Sequence, residues 1–164
     1  MNARAKAAKP SPRDLSVPPA GGLHLLKLCV GADSVEDLTA WIAARLAERA
    51  ARGLPGDHAH VTRMMPTRAT ELLAGGSLYW VIKGEVLCRQ RLRAIEPFVD
   101  GEGIGRCRLV LDPTVVRVVA RPSRPFQGWR YLKGAEAPFD AAEGQADDRL
   151  PEAMQRELRA LGLL

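Results

Sequence analysis

Residues 85–121 combine two features that restrict the possible folds: apolar side chains at alternate positions, and arginine at many of the positions between them. Alternation with a period of two is typical of β-strands that bury one face. The pattern predicts strands near 87–95, 106–111 and 116–121. Asp100 and Gly101 indicate a hairpin turn between the first two. The sequence therefore predicts an antiparallel sheet made of consecutive strands.

The chain before this region alternates between strand and helix patterns. Residues 23–30 are apolar on both faces, which is typical of a central strand, and a helix follows from Asp33, where Asp and Ser can cap the first turn. A short strand at 60–65, a brief helix ended by Gly75 and Gly76, and a strand at 77–82 come next. We expect an α+β fold with a curved antiparallel sheet or a small barrel, and two or three flanking helices.

Composition divides the chain into four parts. Residues 1–22 are rich in Ala, Pro and basic residues and predict a disordered basic tail, because they hold too few apolar groups to offset the entropy of ordering. Residues 23–133 are expected to form a single α+β domain, in which 122–133 form a loop. Residues 134–149 predict a flexible acidic linker, and residues 150–164 predict a C-terminal helix beginning near Pro151.

The charge is distributed unevenly. The net charge is +5, yet residues 83–133 carry +6 (eleven basic and five acidic residues) and residues 134–164 carry −4 (three basic and seven acidic residues). This asymmetry predicts a basic binding surface and an acidic tail that competes for it. No apolar stretch is long enough to span a membrane, and the N-terminus lacks the apolar segment of a secretory signal. The three cysteines form no close pair, so we expect free thiols and a cytoplasmic location.

The arginines of the predicted strands are the first candidate site. If they share one face, like charges lie opposite one another, and phosphate groups would relieve the repulsion through bidentate contacts. Alternatively, the arginine stems cover apolar surface, or the guanidinium groups pair with Glu71, the Asp100/Glu102 loop or the acidic tail. RNA or another polyanion is the partner that the first interpretation predicts. The candidate phosphate contacts are Arg89, Arg91, Arg93, Arg106, Arg108, Arg117 and Arg121.

The segment RPFQGWRYLK at 124–133 places aromatic rings beside cations, a combination that suits unpaired bases. Here Trp129 would flank a base together with Arg124 and Arg130. The alternative is that these rings cover the core.

Other patterns do not identify a reaction. His58 and His60 lack a third ligand at metal-site spacing, so we predict no metal and no cofactor. The glycines at 101, 103 and 105 lie between strands rather than before a helix, which argues against a dinucleotide fingerprint. Ser77 lacks the sequence context of a hydrolase nucleophile, and we assign no catalytic residue.

Four blocks carry a resemblance to a known family: HLLKLCVGADSVEDL, HVTRMMPTRATELLAGGSLYWVIKG, RCRLVLDP and RPFQGWRYL. Together they resemble a family of uncharacterised bacterial proteins, domain-of-unknown-function family 1489, over residues 23–133 and the LRALGLL end. The resemblance implies no activity and no catalytic residues. A weaker likeness is to the small RNA-binding barrels of the PUA and ASCH superfamily, in which a short helix ending in glycine precedes the barrel strands, as TRATELLAGG does here. The chain departs from their pattern at Ser77, Leu78 and Tyr79.

Three functional hypotheses remain open at this point. The leading one is a non-catalytic RNA- or nucleotide-binding domain, PUA-like in fold, that uses the arginine-rich sheet face. The second is an enzyme acting on a phosphorylated or modified-nucleotide substrate in a pocket formed by His60, Arg63, Tyr79 and Lys83. The third is a protein-interaction module whose acidic tail masks the basic face. The sequence leaves the oligomeric state open.

Overall fold

The computed structural model describes residues 16–17, 21–141 and 152–162. Within them the chain forms nine strands, three α-helices and one 3₁₀ turn at Gly134–Glu136. The strands and helices, in chain order, are β1 (Ser16–Val17), β2 (Leu23–Leu28), α1 (Val35–Ala51), β3 (His58–Thr62), α2 (Ala69–Leu73), β4 (Ser77–Ile82), β5 (Glu85–Val99), β6 (Gly105–Leu111), β7 (Val116–Pro122), β8 (Trp129–Lys133), β9 (Asp140–Ala141) and α3 (Glu152–Ala160).

All nine strands join one curved sheet, and the predicted α+β fold with flanking helices is confirmed. The main path runs β1-β9-β7-β5-β4-β2-β8, and β6 adds β3 at the other end of β5. The sheet is antiparallel except where β2 pairs with β4, which is parallel because α1, β3 and α2 lie between them in the chain. The barrel alternative is not realised, since the described strands form an open sheet.

Strand β5 determines the curvature. Its first half lies between β4 and β7, and its second half pairs with β6. Register shifts occur at Val86/Cys88 against β7 and at Leu92/Ala94 against β6, and such bulges bend a strand and increase its twist. The bend brings the β3 and β8 edges towards each other. There the indole Nε1 of Trp129 donates a hydrogen bond of 2.8 Å to the carbonyl oxygen of Met64.

The sheet has a packed core on each side. The first cluster contains inward side chains of β2, β4, β5 and β6 together with α1 and α2. Helix α1 contributes Val35, Leu38 and Ile42, and Ser34 caps it by accepting a hydrogen bond from the Asp37 amide. The second cluster lies behind Tyr79 and is covered by Phe126, Leu132 and Ala137. Both faces of β4 are therefore buried, in agreement with its mostly apolar side chains.

The segments predicted as tail, loop and linker each contain part of a strand. Residues 16–17, assigned to the tail, pair with β9. Strand β8 occupies part of the predicted loop at 122–133, because the two prolines and the glycine lie before it rather than in it. In the predicted linker, residues 134–141 form the 3₁₀ turn and β9, which pairs with β7. The rest of that linker, 142–149, lies outside the described residues.

Candidate functional site

A cavity of about 230 Å³ lies where β2 ends and α1 begins. Its walls come from four elements: the end of β2 and the following loop, the first two turns of α1, β3 and β4. Parallel neighbours such as β2 and β4 open a crevice beyond their carboxyl ends, and ligands of α/β proteins commonly bind there. The side chains that line the cavity and matter below are Lys27, Cys29, Asp37, Trp41, His60 and Trp80.

Two indole rings form the aromatic walls. Trp80 is almost fully buried, and its Nε1 donates to Gln90, whose amide nitrogen donates in turn to the Asp112 carbonyl, each at 2.9 Å. This chain of hydrogen bonds fixes the ring. Trp41 lies at the mouth and is 47% exposed, with the Arg45 guanidinium 4.6 Å from its ring centroid. A flat apolar group could therefore lie between a fixed wall and an accessible one.

His60 contributes a neutral imidazole. Its ring contacts Trp80 edge-on, with centroids 5.2 Å apart. Burial, with smaller contributions from the charges of Lys27, His58 and Arg45, lowers the pKa of His60 to about 4. The Nε2 atom is buried and has no hydrogen-bond partner in the described part of the chain. The described residues contain other unpaired side-chain atoms of this kind, such as His24 Nε2 and the Tyr79 hydroxyl, in residues that line neither this cavity nor the groove described below.

Lys27 is the basic group of the site. Burial lowers the pKa of Lys27, and no carboxylate or other acceptor of the described residues contacts its ammonium group. Asp37, in the first turn of α1, is the acidic side chain among the described residues that line the cavity. It accepts a hydrogen bond of 3.1 Å from the Asp33 amide. The cavity therefore has one basic and one acidic side chain in its lining.

A groove of about 810 Å³ begins at Lys27 and runs between the β3 and β8 edges. Lys27 and Arg63 are the only charged side chains among the described residues that line it. Its apolar surface is unusually accessible, since Val61 is 46% and Met64 70% exposed, and Trp129 forms part of the opposite wall. The cavity and the groove share Lys27; together they are called the cleft below.

The arginines of the strands do not form the uncompensated cationic face predicted from their spacing. Among them, five have a carboxylate within ion-pair distance, and Arg121 donates to the carbonyl oxygen of Glu136. The pair of Arg89 with Asp140 is bidentate and mostly buried, with distances of 2.7 and 2.6 Å. The five pairs are Arg89–Asp140, Arg93–Asp112, Arg106–Asp100, Arg108–Glu96 and Arg117–Glu36.

These arginines also lie on both sides of the sheet. Arg89 lies opposite Tyr79 in the ladder, and Tyr79 belongs to the second cluster. Arg117 lies opposite Cys88 of the first cluster and reaches Glu36 of α1 on that side. Directly opposed residues project to the same face. The expectation of one shared arginine face was wrong, because the bulges of β5 change which face each position occupies.

The predicted base-flanking trio is divided as well. Trp129 lines the groove and packs edge-on against Tyr131. Arg130, the next residue, places its guanidinium 4.9 Å from the Phe126 ring on the other side of the sheet. Arg124 is exposed in the loop before β8, and Arg91 is exposed on β5. Trp129 and Arg130 thus face opposite sides, as consecutive strand residues must.

The pocket predicted for an enzyme is only half assembled. His60 lines the cavity and Arg63 lines the groove. Tyr79 is fully buried in the second cluster, and Lys83, in the turn before β5, pairs with Asp33 at 2.9 Å. Neither lines the cavity or the groove. The residues that sequence reasoning missed are Lys27, Trp41 and Trp80; a lone lysine in a strand that is apolar on both faces was the available signal.

Two further findings concern the described residues alone. They contain no group of three or more His, Cys, Asp or Glu side chains arranged to hold a metal ion. None of their helices combines the length and the apolar character that crossing a membrane requires.

A family model described as "Protein of unknown function (DUF1489)" matches residues 25–164. No curated protein and no solved structure matches the chain. The match covers most of the sequence, including the cleft and the strands that carry the arginines. The chain belongs to this family.

Proposed function

We propose that this member of the DUF1489 family is a non-catalytic RNA- or nucleotide-binding domain, and that its contact surface is the cleft. One observation carries the proposal: a half-buried lysine, Lys27, has no acidic partner among the described residues and lines both an aromatic cavity and a groove whose described lining has no carboxylate. Burying a cation without a counter-charge is unfavourable. A phosphate at Lys27 would supply the counter-charge.

The cavity suits a heterocyclic base. Its lining includes the indole rings of Trp41 and Trp80, and its volume of about 230 Å³ is comparable to that of a small planar ligand. Stacking of a base on an aromatic side chain contributes about 1–3 kcal/mol. The neutral imidazole of His60 lies in T-shaped contact with Trp80 and adds a third aromatic ring to the lining.

The charged side chains of the cavity orient the ligand. A phosphate beside the first turn of α1 would face the Asp37 carboxylate. Beside Lys27 it would meet an ammonium group that no described carboxylate contacts. We therefore place the base against Trp41 and Trp80 and its phosphate at Lys27.

The other residues predicted from the sequence have different roles in this proposal. Trp129 lines the groove and is retained as a contact. Arg91, Arg124 and Arg130 are exposed and lie outside the residues that line the cleft, so they contribute long-range attraction alone. Arg89 would have to break its largely buried pair with Asp140 to bind a phosphate, which removes most of the gain. The other four pairs are more exposed, so breaking them costs little, but each carboxylate still repels an incoming phosphate.

The proposal is tested by fluorescence anisotropy with a labelled single-stranded oligoribonucleotide across a salt series. Two phosphate contacts, at Lys27 and Arg63, predict that log K falls against log[salt] with a slope of roughly −1.4, whereas seven contacts on arginines would give roughly −5. Lys27→Met should weaken binding about tenfold, which is about 1.4 kcal/mol.

The matched control is Arg91→Met, which removes one charge from an exposed arginine outside the cleft. It should change the affinity less than twofold. Equal losses in both variants would contradict the proposal, and so would binding that Lys27→Met leaves unchanged.

A further inference from the structure

The cleft is longer than one nucleotide requires. The groove of about 810 Å³ has more than three times the volume of the cavity of about 230 Å³, and the two share Lys27. The groove continues past Arg63 and Trp129 to solvent, along the seam between the β3 and β8 edges. A mononucleotide held by the cavity and Lys27 would leave this surface unused.

Resting on the proposed function, we infer that the ligand is a single RNA strand of several nucleotides, and that the groove holds the nucleotides adjacent to the base in the cavity. The cavity fixes one base, Lys27 binds its phosphate, and the strand continues along β3 and β8. The ligand class is thus an unpaired segment of RNA rather than a free nucleotide.

The lining of the groove matches the chemistry of such a strand. Arg63 offers a second cation, and no described residue of the lining is acidic, so consecutive phosphates meet no repulsion. The same lining contains exposed apolar side chains, Met64 at 70% and Val61 at 46% exposure, and the Trp129 ring. A strand that combines phosphates with apolar base faces suits a lining that combines cations with apolar and aromatic surface.

The strand has to be unpaired. Bases reach aromatic side chains and a cavity wall only when they are not stacked within a duplex. The groove floor is also fixed in place, because the Trp129 to Met64 hydrogen bond ties the β8 edge to the end of β3. The two strand edges also have backbone groups that an extended peptide could pair with, but two cations and no acidic side chain among the described residues of the groove lining favour the polyanion.

Ligand length provides the test. Isothermal titration with uridine monophosphate and with oligouridylates of two, four and eight nucleotides should show affinity rising at least tenfold from one nucleotide to four, then levelling. Arg63→Gln should weaken the four-nucleotide complex about fivefold and leave the mononucleotide complex unchanged. Lys27→Met should weaken both. The same series with a complementary strand annealed should show binding reduced at least tenfold.

The outcomes distinguish a failure of the single-strand inference from a failure of the proposed function. Equal affinity for one and four nucleotides, with no effect of Arg63→Gln, overturns the single-strand path and leaves nucleotide binding in the cavity standing. Absence of binding for every length overturns the proposed function itself. Displacement of the RNA by an uncharged extended peptide, with an unchanged salt slope, assigns the groove to a polypeptide and also overturns the inference.

Discussion

The strands that carry most of the arginines and the cleft that contains Lys27 present opposite electrostatic situations. On β5 to β7, basic residues are abundant, and five of them already have carboxylate partners. In the cleft, two basic residues line a surface where no acid of the described chain neutralises them. The two regions differ in whether their basic side chains have a described carboxylate partner, rather than in how many basic side chains they contain. A buried pair such as Arg89–Asp140 is a structural element, whereas a half-buried cation that no described carboxylate contacts marks a candidate ligand site.

The largest effect on stability is expected at the pair of Arg89 with Asp140, which lies outside the cleft. Both side chains are mostly buried, at 16% and 17% exposure, and Arg89 also donates to Ser77 at 3.0 Å. Arg89→Ala leaves a carboxylate and a hydroxyl without partners, so the free energy of unfolding should fall by about 2–4 kcal/mol in urea denaturation. RNA affinity per folded molecule should stay unchanged.

The control is Arg91→Ala, two residues along the same strand, where an exposed side chain predicts a loss below about 0.5 kcal/mol. A small effect of Arg89→Ala on stability, accompanied by a loss of RNA affinity, would restore the arginine strands as the binding surface.

The pH dependence of stability should arise in the cleft more than in the ion pairs. The pKa of His60 is about 4 in the folded chain and near the ordinary 6.5 when unfolded. Between these values the unfolded state binds a proton that the folded state does not, so stability falls as the pH drops from 6.5 towards 4. The arginine partners behave differently: the hydrogen bond from Arg106 lowers the pKa of Asp100, and such a pair persists at pH 5.

His60→Gln should therefore remove about 2 kcal/mol of the stability difference between pH 7 and pH 5. His24 and His58 also have pKa values lowered by burial and will retain a part of the dependence in the variant. Urea denaturation of both proteins at the two pH values measures the difference. An identical pH dependence in the two proteins would show that His60 is not buried in neutral form.

Strand periodicity was a reliable guide to the fold, and a poor guide to the site. The alternation in 85–121 predicts β5, β6 and β7, and the Ser34 cap and apolar stripe predict α1. The alternation predicted the wrong sheet face for some of the arginines. A bulge shifts every later side chain to the other face, and the sequence pattern does not show where a bulge occurs. The ion pairs were equally hidden, since they join residues far apart in the chain, such as Arg117 and Glu36.

The cleft depends on long-range contacts of the same kind. Trp41 has the position of a core residue in the α1 stripe, and only the packing of α1 beside β3 leaves it half exposed at a cavity mouth. The residues of β8 were predicted as a loop, so the sequence did not predict that β3 and β8 would lie beside each other. Lys27 is the exception, because a charged residue in an otherwise apolar strand already requires an explanation.

The central claim is that the ligand occupies the cleft and not the arginine strands. The three tryptophans make this directly observable by ¹H–¹⁵N NMR, because each indole N–H gives one resolved signal and all three side chains line the cleft. Titration with a four-nucleotide single-stranded RNA should shift the indole signals of Trp41, Trp80 and Trp129 and the backbone amides of 27–32 and 61–64. Shifts confined to β5, β6 and β7 around Arg89, Arg106 and Arg117, with the indole signals unmoved, would contradict it.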